Sequence, residues 1–313
     1  MPKTSAQRQL SLLIIGCGDV GLRVARQLLP RWRVIALTSS AQRMPALRAI
    51  GVQPLLGNLD QAHTLGRLAS LASHVLHLAP PPAQGRQDLR TQALLRALSR
   101  GGTTTRLVYA STTGVYGDCG GAWIDETQAL APQTDRAQRR AHAEQQVRWF
   151  GRRTGATVSV LRIPGIYAPN REGGQPQDRV RRGSPVLLAE DDVVTNHIHA
   201  DDLARACVRA LLAGAPQRAY NVVDDGGLAM GDHYDQVADL CGLARPPRLS
   251  REQMQQQVSA LQWSFMRESR RIGNGRLKQE LRVVLRYPTV AEGLFDADAQ
   301  TRPNHPTPND SLK

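Results

Sequence analysis

"LLIIGCGDVGLRVARQLLP", residues 12–30, is the stretch whose reading decides the fold. Leu12 to Ile15 form a short apolar run, and the chain then breaks into Gly16-Cys17-Gly18-Asp19-Val20-Gly21. Beyond the break, Val20, Leu22, Val24, Ala25, Leu28 and Leu29 recur at helical spacing, and Pro30 ends the stripe. Strand, G-x-G-x-x-G and helix in that order make a turn suited to the pyrophosphate of a dinucleotide. Gly16 permits the tight turn, Gly18 lets the backbone approach the phosphates, and Gly21 lets the helix pack close to the strand. The free N–H groups of the first helical turn, at Asp19 and Val20, then face the ligand.

Working outward, strand-like runs recur at Arg33 to Thr38, Val52 to Leu56, His74 to Leu78 and Arg106 to Ala110, separated by helical stretches. This alternation predicts an α/β fold, a doubly wound parallel sheet of the Rossmann type, with its ligand outside the C-terminal strand ends. Leu59 and Asp60 after the third strand, Ala79 and Pro80 in "LAPPPAQG" after the fourth, and Pro164 further on are the expected cofactor walls. A dinucleotide with a free ribose 2′-hydroxyl calls for Asp or Glu at the end of the second strand. Here the chain offers Thr38, Ser39 and Ser40, with Arg43 close behind, so NADP(H) is favoured over NAD(H).

The rest of the composition narrows the class. A chain of 313 residues with 41% hydrophobic and only 4% aromatic residues can bury a large core built from Leu, Val, Ile and Ala. Forty Lys+Arg against 27 Asp+Glu give a net charge of +13, which raises nucleic acid as a partner. The arginines are scattered and lack interleaved aromatics for base stacking, so no nucleic-acid partner is expected. Cys17, Cys119, Cys207 and Cys241 lie far apart, which suggests neither a zinc site nor disulfides and suits a reducing cytoplasm. No apolar run approaches the roughly 20 residues that span a bilayer. Lys3 and Arg8 before "LSLLIIGC" imitate a lipoprotein leader ending at Cys17, but the following helix explains the segment better.

From the fifth strand onward the chain resembles the extended short-chain dehydrogenase/reductase family, the NAD-dependent epimerases and dehydratases. "LVYASTTGVYGD" resembles the strand and loop bearing that family's active-site Ser/Thr, "VLRIPGIYAP" the next strand and loop, and "NHIHADDLARA" and "YNVVDD" two later signatures. The glycine spacing and "RIGNGRLKQELRVVLRYPTVAEGL" resemble an atypical subgroup, the YeeZ-like proteins. The resemblance implies a Ser/Thr that bonds the substrate oxygen, a Tyr that exchanges its proton, and a Lys four residues later. Counting back from "VYG" puts the Ser/Thr role on Thr112. Aligning the family's following Glu with Glu144 puts Arg140 at the lysine position and Arg136 at the tyrosine position. Arginine stays protonated and cannot act as a base, so the standard mechanism is absent. Arg140 is expected to bond the cofactor ribose, oriented by Glu144 one turn on. Tyr116, with Arg140 as the neighbouring cation, and secondly Tyr167 are the replacement acid/base candidates, against a purely pocket-shaping role for both. Arg139 reads as a solvated-face residue.

Other features are read as structural. "HIHADD" imitates a metal motif, but Asp201 or Asp202 reads as a helix N-cap, and no metal is expected. Asp125 and Glu126 read as solvated or as a substrate rim. Residues 171–182, rich in Gly, Gln and Arg, read as a flexible loop over the site whose arginines meet an anionic substrate. The expected organisation is a dinucleotide-binding domain at 1–165 plus 195–225, a smaller substrate-side subdomain at 166–194 plus 226–297, and a disordered tail at 298–313. The function expected is an NAD(P)-dependent oxidoreductase or epimerase with a small, anionic or sugar-like substrate and a non-standard acid/base group. The alternative is a non-catalytic NADP(H) sensor. A second copy of the chain is left open as a partner.

Overall fold

The computed structural model describes residues 10–29 and 31–294, so Pro30 and the expected tail at 298–313 lie outside the described residues. The predicted sheet is present. β1 (Ser11–Ile15), β2 (Arg33–Thr38), β3 (Gln53–Leu56), β4 (His74–His77) and β5 (Arg106–Thr112) are joined by strands Thr157–Ile163 and Arg218–Asn221. Their order across the sheet is Arg218–Asn221, Thr157–Ile163, β5, β4, β1, β2, β3, all parallel. The order reverses between β1 and β4, which places a ligand crevice at the C-terminal ends of those two strands.

The strands are apolar without alternation because both faces are covered. Leu12, Ile14, Val34 and Ala36 point into one core with Val24 and Leu28 of helix α1 (Asp19–Leu28) and with Leu203 and Cys207 of helix Ala200–Ala213. Leu13, Ile15, Ile35 and Leu37 point into the other, against helix Leu89–Ser99 and the arginine helix, Asp135–Thr154. Thr134 caps the arginine helix by accepting the Ala137 N–H, and Gly155, in the left-handed region, ends it.

Besides a small cluster of Tyr116, Ile124, Val223 and Ile272, two smaller cores lie beyond the sheet among the described residues. One joins Tyr167 and Val180 to Val237 and Val290; the other joins Leu187 and Val193 to Met230, Met254 and Met266. Two local expectations are corrected here. The segment 171–182 contains a helix, Pro176–Arg181, because Pro176 suits its first turn and Val180 is buried against Val237. Helix Ala200–Ala213 is capped by His199, whose Nδ1 accepts the Asp201 N–H, and not by Asp201 or Asp202. Asp202 is fully buried and accepts the N–H groups of Arg286 and Tyr287 instead. Among the described residues no cluster of three or more His, Cys, Asp or Glu is placed to hold a metal, and no helix is long and apolar enough to cross a membrane.

Candidate functional site

The glycine turn closes with the Gly18 N–H donating to Gly16 O at 2.8 Å and the Leu22 N–H to Gly18 O at 2.9 Å. Gly16 has φ +85°, and a Cβ there would lie 2.5 Å from the Ala79 nitrogen at the end of β4. A Cβ on Gly21 would press at 3.3 Å on both Gly16 O and Ile14 Cγ2, so strand and helix meet at backbone distance. A Cβ on Gly18 would meet nothing within 4 Å. Gly18 is the N-cap of α1, so this open space lies at a helix N-terminus, and the combination fits a pyrophosphate.

Cavities open on both sides of this turn. The first, about 360 Å³, is walled by Thr38, Ser39, Arg43, Leu59, Asp60 and Pro80, with Gly16 and Ala79 at its edge. Arg43 donates from Nη2 to Cys17 O at 2.7 Å, which lays its guanidinium along the turn. Asp60 is held by Arg90 through bonds of 2.7 and 2.6 Å, and that bidentate pair keeps its carboxyl below the usual range. The second cavity, about 310 Å³, is bounded by Gly18, Asp19, Val20, Gly21, Thr112, Arg140 and Pro164, together with Arg171.

Thr112, Arg140 and Pro164 also wall a third and larger cavity, about 740 Å³, and so mark its junction with the second. The Thr112 hydroxyl accepts the Gly114 N–H at 3.3 Å, leaving its own hydrogen free to donate. Arg140 donates from Nη1 to Ala110 O at 2.8 Å and to the Tyr109 hydroxyl at 3.2 Å. Arg136 lies over the Phe265 ring at 4.0 Å. Arg139, Arg179 and Arg270 complete a set of five arginines around this cavity, faced by Glu268, which pairs with Arg270 at 2.8 Å. The Nε atoms of Arg139, Arg179 and Arg270 are buried without a hydrogen-bond partner among the described residues. Donors thus greatly outnumber acceptors, an arrangement suited to an anion.

Several predicted roles are not brought together. Glu144 does not orient Arg140; it is buried against the sheet, accepting from Ser111 Oγ at 2.6 Å and pairing with Arg162 at 2.9 Å. The Tyr116 hydroxyl donates to Asn221 Oδ1 at 2.7 Å and accepts from Arg162 Nη1 at 2.8 Å. Its ring is only 1% exposed, burial raises its pKa, and its neighbouring cation is Arg162 in place of the expected Arg140. Tyr167 donates to Thr289 O, and burial drives its pKa up as well. Arg139 is not a solvated-face residue: it is 7% exposed and donates to Gly85 O. Glu126 is likewise buried, accepting the Asn221 N–H at 2.8 Å, whereas Asp125 is exposed and caps Thr127.

Sequence reasoning missed Arg90, Glu268, Arg270 and the stacked imidazoles of His197 and His233, whose centroids are 3.9 Å apart beside the large cavity. Arg90 alone carried a usable signal, standing at the start of the helix that follows β4. Glu268 and Arg270 come from a distant C-terminal segment, and nothing in their local sequence marks them.

No curated protein matches the chain. Among solved structures, a functionally unknown conserved protein from Silicibacter pomeroyi DSS is 31% identical, with 91% of this chain and 96% of that one covered and a TM-score of 0.75. A UDP-glucose 4-epimerase from Thermotoga maritima, solved with UDP-glucose, is 19% identical with 91% and 96% covered and a TM-score of 0.71. A dTDP-glucose 4,6-dehydratase from Bacillus anthracis, in complex with NAD, is 17% identical with 91% and 94% covered and a TM-score of 0.72. These last two share the fold. The family model of the NAD dependent epimerase/dehydratase family matches residues 12–223, from β1 to just past the last sheet strand, and the chain belongs to that family.

Proposed function

We propose that the protein is a nicotinamide-dinucleotide-dependent oxidoreductase or epimerase acting on a small anionic or sugar-like substrate. The observation that carries this reading is that Thr112, Arg140 and Pro164 wall two cavities at once, one beside the glycine turn and one lined by arginines. A dinucleotide lying along the turn would supply or take up hydride beside those residues. Gly16, Gly18, Asp19, Val20 and Gly21 would hold its pyrophosphate; Leu59, Asp60, Ala79 and Pro80 would wall its adenosine half. Thr38, Ser39 and Arg43 favour NADP(H) over NAD(H), since no acid stands among them to repel a 2′-phosphate. The Thr112 hydroxyl would donate to a substrate oxygen, Arg140 would bond the cofactor ribose, and Arg136 would hold the substrate's anionic group, both arginines keeping their own protons.

This chemistry would be divided between the dinucleotide domain at 1–165 plus 195–225 and the substrate-side subdomain at 166–194 plus 226–297. The subgroup we infer is YeeZ-like, from the glycine spacing and residues 271–294. Free thiols at all four cysteines suit a reducing cytoplasm. A second reading, a sensor that binds NADP(H) without transferring hydride, is favoured by the burial of Tyr116 and Tyr167 away from the junction. Titration with both nicotinamide cofactors, followed by a screen of anionic aldehydes, ketones and sugar nucleotides at the nicotinamide absorbance, separates the readings. Turnover supports the enzyme, binding without turnover supports the sensor, and absence of binding removes both.

A further inference from the structure

The segment 168–174, between strand Gly165–Tyr167 and helix Pro176–Arg181, closes on itself. The Ala168 N–H donates to Gly174 O at 3.1 Å, and the Gly174 N–H donates to Arg171 O at 3.0 Å. A Cβ on Gly174 would lie 2.5 Å from Arg171 Cδ and 2.8 Å from its Cγ, so the arginine stem crosses the bare glycine face. That path carries the guanidinium to the start of α1, where Nη1 meets Asp19 Oδ2 at 2.6 Å. The same segment is tied down a second time: Asn170 Oδ1 accepts from Arg23 Nη2 at 2.5 Å, and Arg23 also holds Asp19 at 3.0 Å and Asp201 at 2.5 Å.

Asp19 is the residue directly after Gly18, so its carboxylate occupies the positive end of α1, where a pyrophosphate would also be drawn. Two anions at one helix end repel each other unless a cation is shared between them. Arg171 is that cation: it lines the same cavity as Gly18 and Gly21, and its side chain is a quarter exposed. Of the two guanidiniums on Asp19, Arg23 is committed to three partners, whereas Asp19 is the sole side-chain partner of Arg171 among the described residues.

We propose that residues 168–174 form a strap over the glycine turn and that Arg171 is a pyrophosphate clamp, held by Asp19 as a placeholder until a dinucleotide binds. On binding, the guanidinium shifts or shares its bonds from the carboxylate to the phosphate oxygens, and the strap stays closed over the ligand. The proposal rests on the dinucleotide reading above and deepens it, naming a contact outside the glycine motif.

The test measures binding of ADP-ribose, which keeps the pyrophosphate and lacks the nicotinamide, by calorimetry on the full chain. Arg171→Ala should weaken it about tenfold or more, Arg171→Lys should recover part of the loss, and Gly174→Ala, which displaces the stem but keeps the charge, should weaken it in the same direction. Asp19→Asn should bind at least as tightly as the wild type, because it removes the competing carboxylate. ADP-ribose should also slow tryptic cleavage after Arg171. An Arg171→Ala protein of unchanged thermal midpoint that binds ADP-ribose as the wild type does overturns the clamp, and so does weakening by Asp19→Asn equal to that of Arg171→Ala. A wild-type protein that binds neither NADP(H), NAD(H) nor ADP-ribose overturns the dinucleotide reading itself.

Discussion

A methyl group added at Gly16 would sit 2.5 Å from the Ala79 nitrogen on a backbone at φ +85°, whereas one added at Gly18 would enter open space. Gly16→Ala should therefore cost about 2–4 kcal/mol of stability, through strain and backbone collision, read by urea denaturation. Gly18→Ala should cost under about 1 kcal/mol yet abolish measurable dinucleotide binding, since only the ligand meets the new group. If Gly18→Ala bound cofactor normally, the glycine turn would not be a phosphate site. Arg140 offers a parallel case. Its anchor to Ala110 O fixes it at the junction of the two cavities, and Arg140→Ala should weaken cofactor binding about tenfold, whereas unchanged affinity would remove it from the ribose contact. The two glycines were legible because their spacing is local, and Arg140 only through the family resemblance, by its distance from Glu144. Their partners were not.

At the scale of elements, the arginine helix shows where reading along the chain stops. Helical spacing makes Glu144 a neighbour of Arg140, and an i,i+4 pair is the natural expectation. The helix instead turns Glu144 inward, where Arg162 from the adjacent strand and Ser111 from β5 offer a buried bidentate bond and a hydroxyl. With side chains 2% and 5% exposed, the pair excludes water, and Arg162 in turn fixes the hydroxyl of Tyr116. Glu144→Ala leaves a buried guanidinium uncompensated and should destabilise the protein by about 3–5 kcal/mol in chemical denaturation, far more than an exposed pair would. A cost near zero would show that the network is solvated in solution.

Across the whole molecule, the response to pH is set by buried titratable groups of opposite sign. Burial, reinforced by Asp225, Asp202 and Glu292, raises the Asp224 carboxyl to about 7. Between about pH 4 and 7 the folded state then keeps a proton that the unfolded chain has released, so this contribution to stability is full at low pH and is lost as pH rises. Burial lowers His74 and His197 to about 4 and His77 to about 3, helped at His74 by Arg106 and at His77 by Arg140. Their contribution has the opposite sense, being present above about pH 6.5 and lost as pH falls. Asp224→Asn should therefore gain in thermal midpoint relative to wild type as pH rises from about 4 to 7, with a plateau above. A difference between the two proteins that is independent of pH would show that Asp224 titrates normally.

The sequence by itself determined the strand, glycine turn and helix of residues 12–29 and the parallel alternation that follows. Each of these is a property of contiguous residues and their period, and short-range sterics enforce it. Only the tertiary structure decided which charges meet. With 40 basic and 27 acidic side chains, composition leaves the pairing open, and the fold chose Arg162 for Glu144, Arg90 for Asp60 and Arg171 for Asp19. It likewise buried Tyr116 and gathered arginines from the helix at 135–154, the segment near 179 and the segment near 270 around one cavity. Such partners are separated by up to more than 100 positions in the chain, and their pairing is fixed by packing geometry and desolvation, which no local pattern encodes.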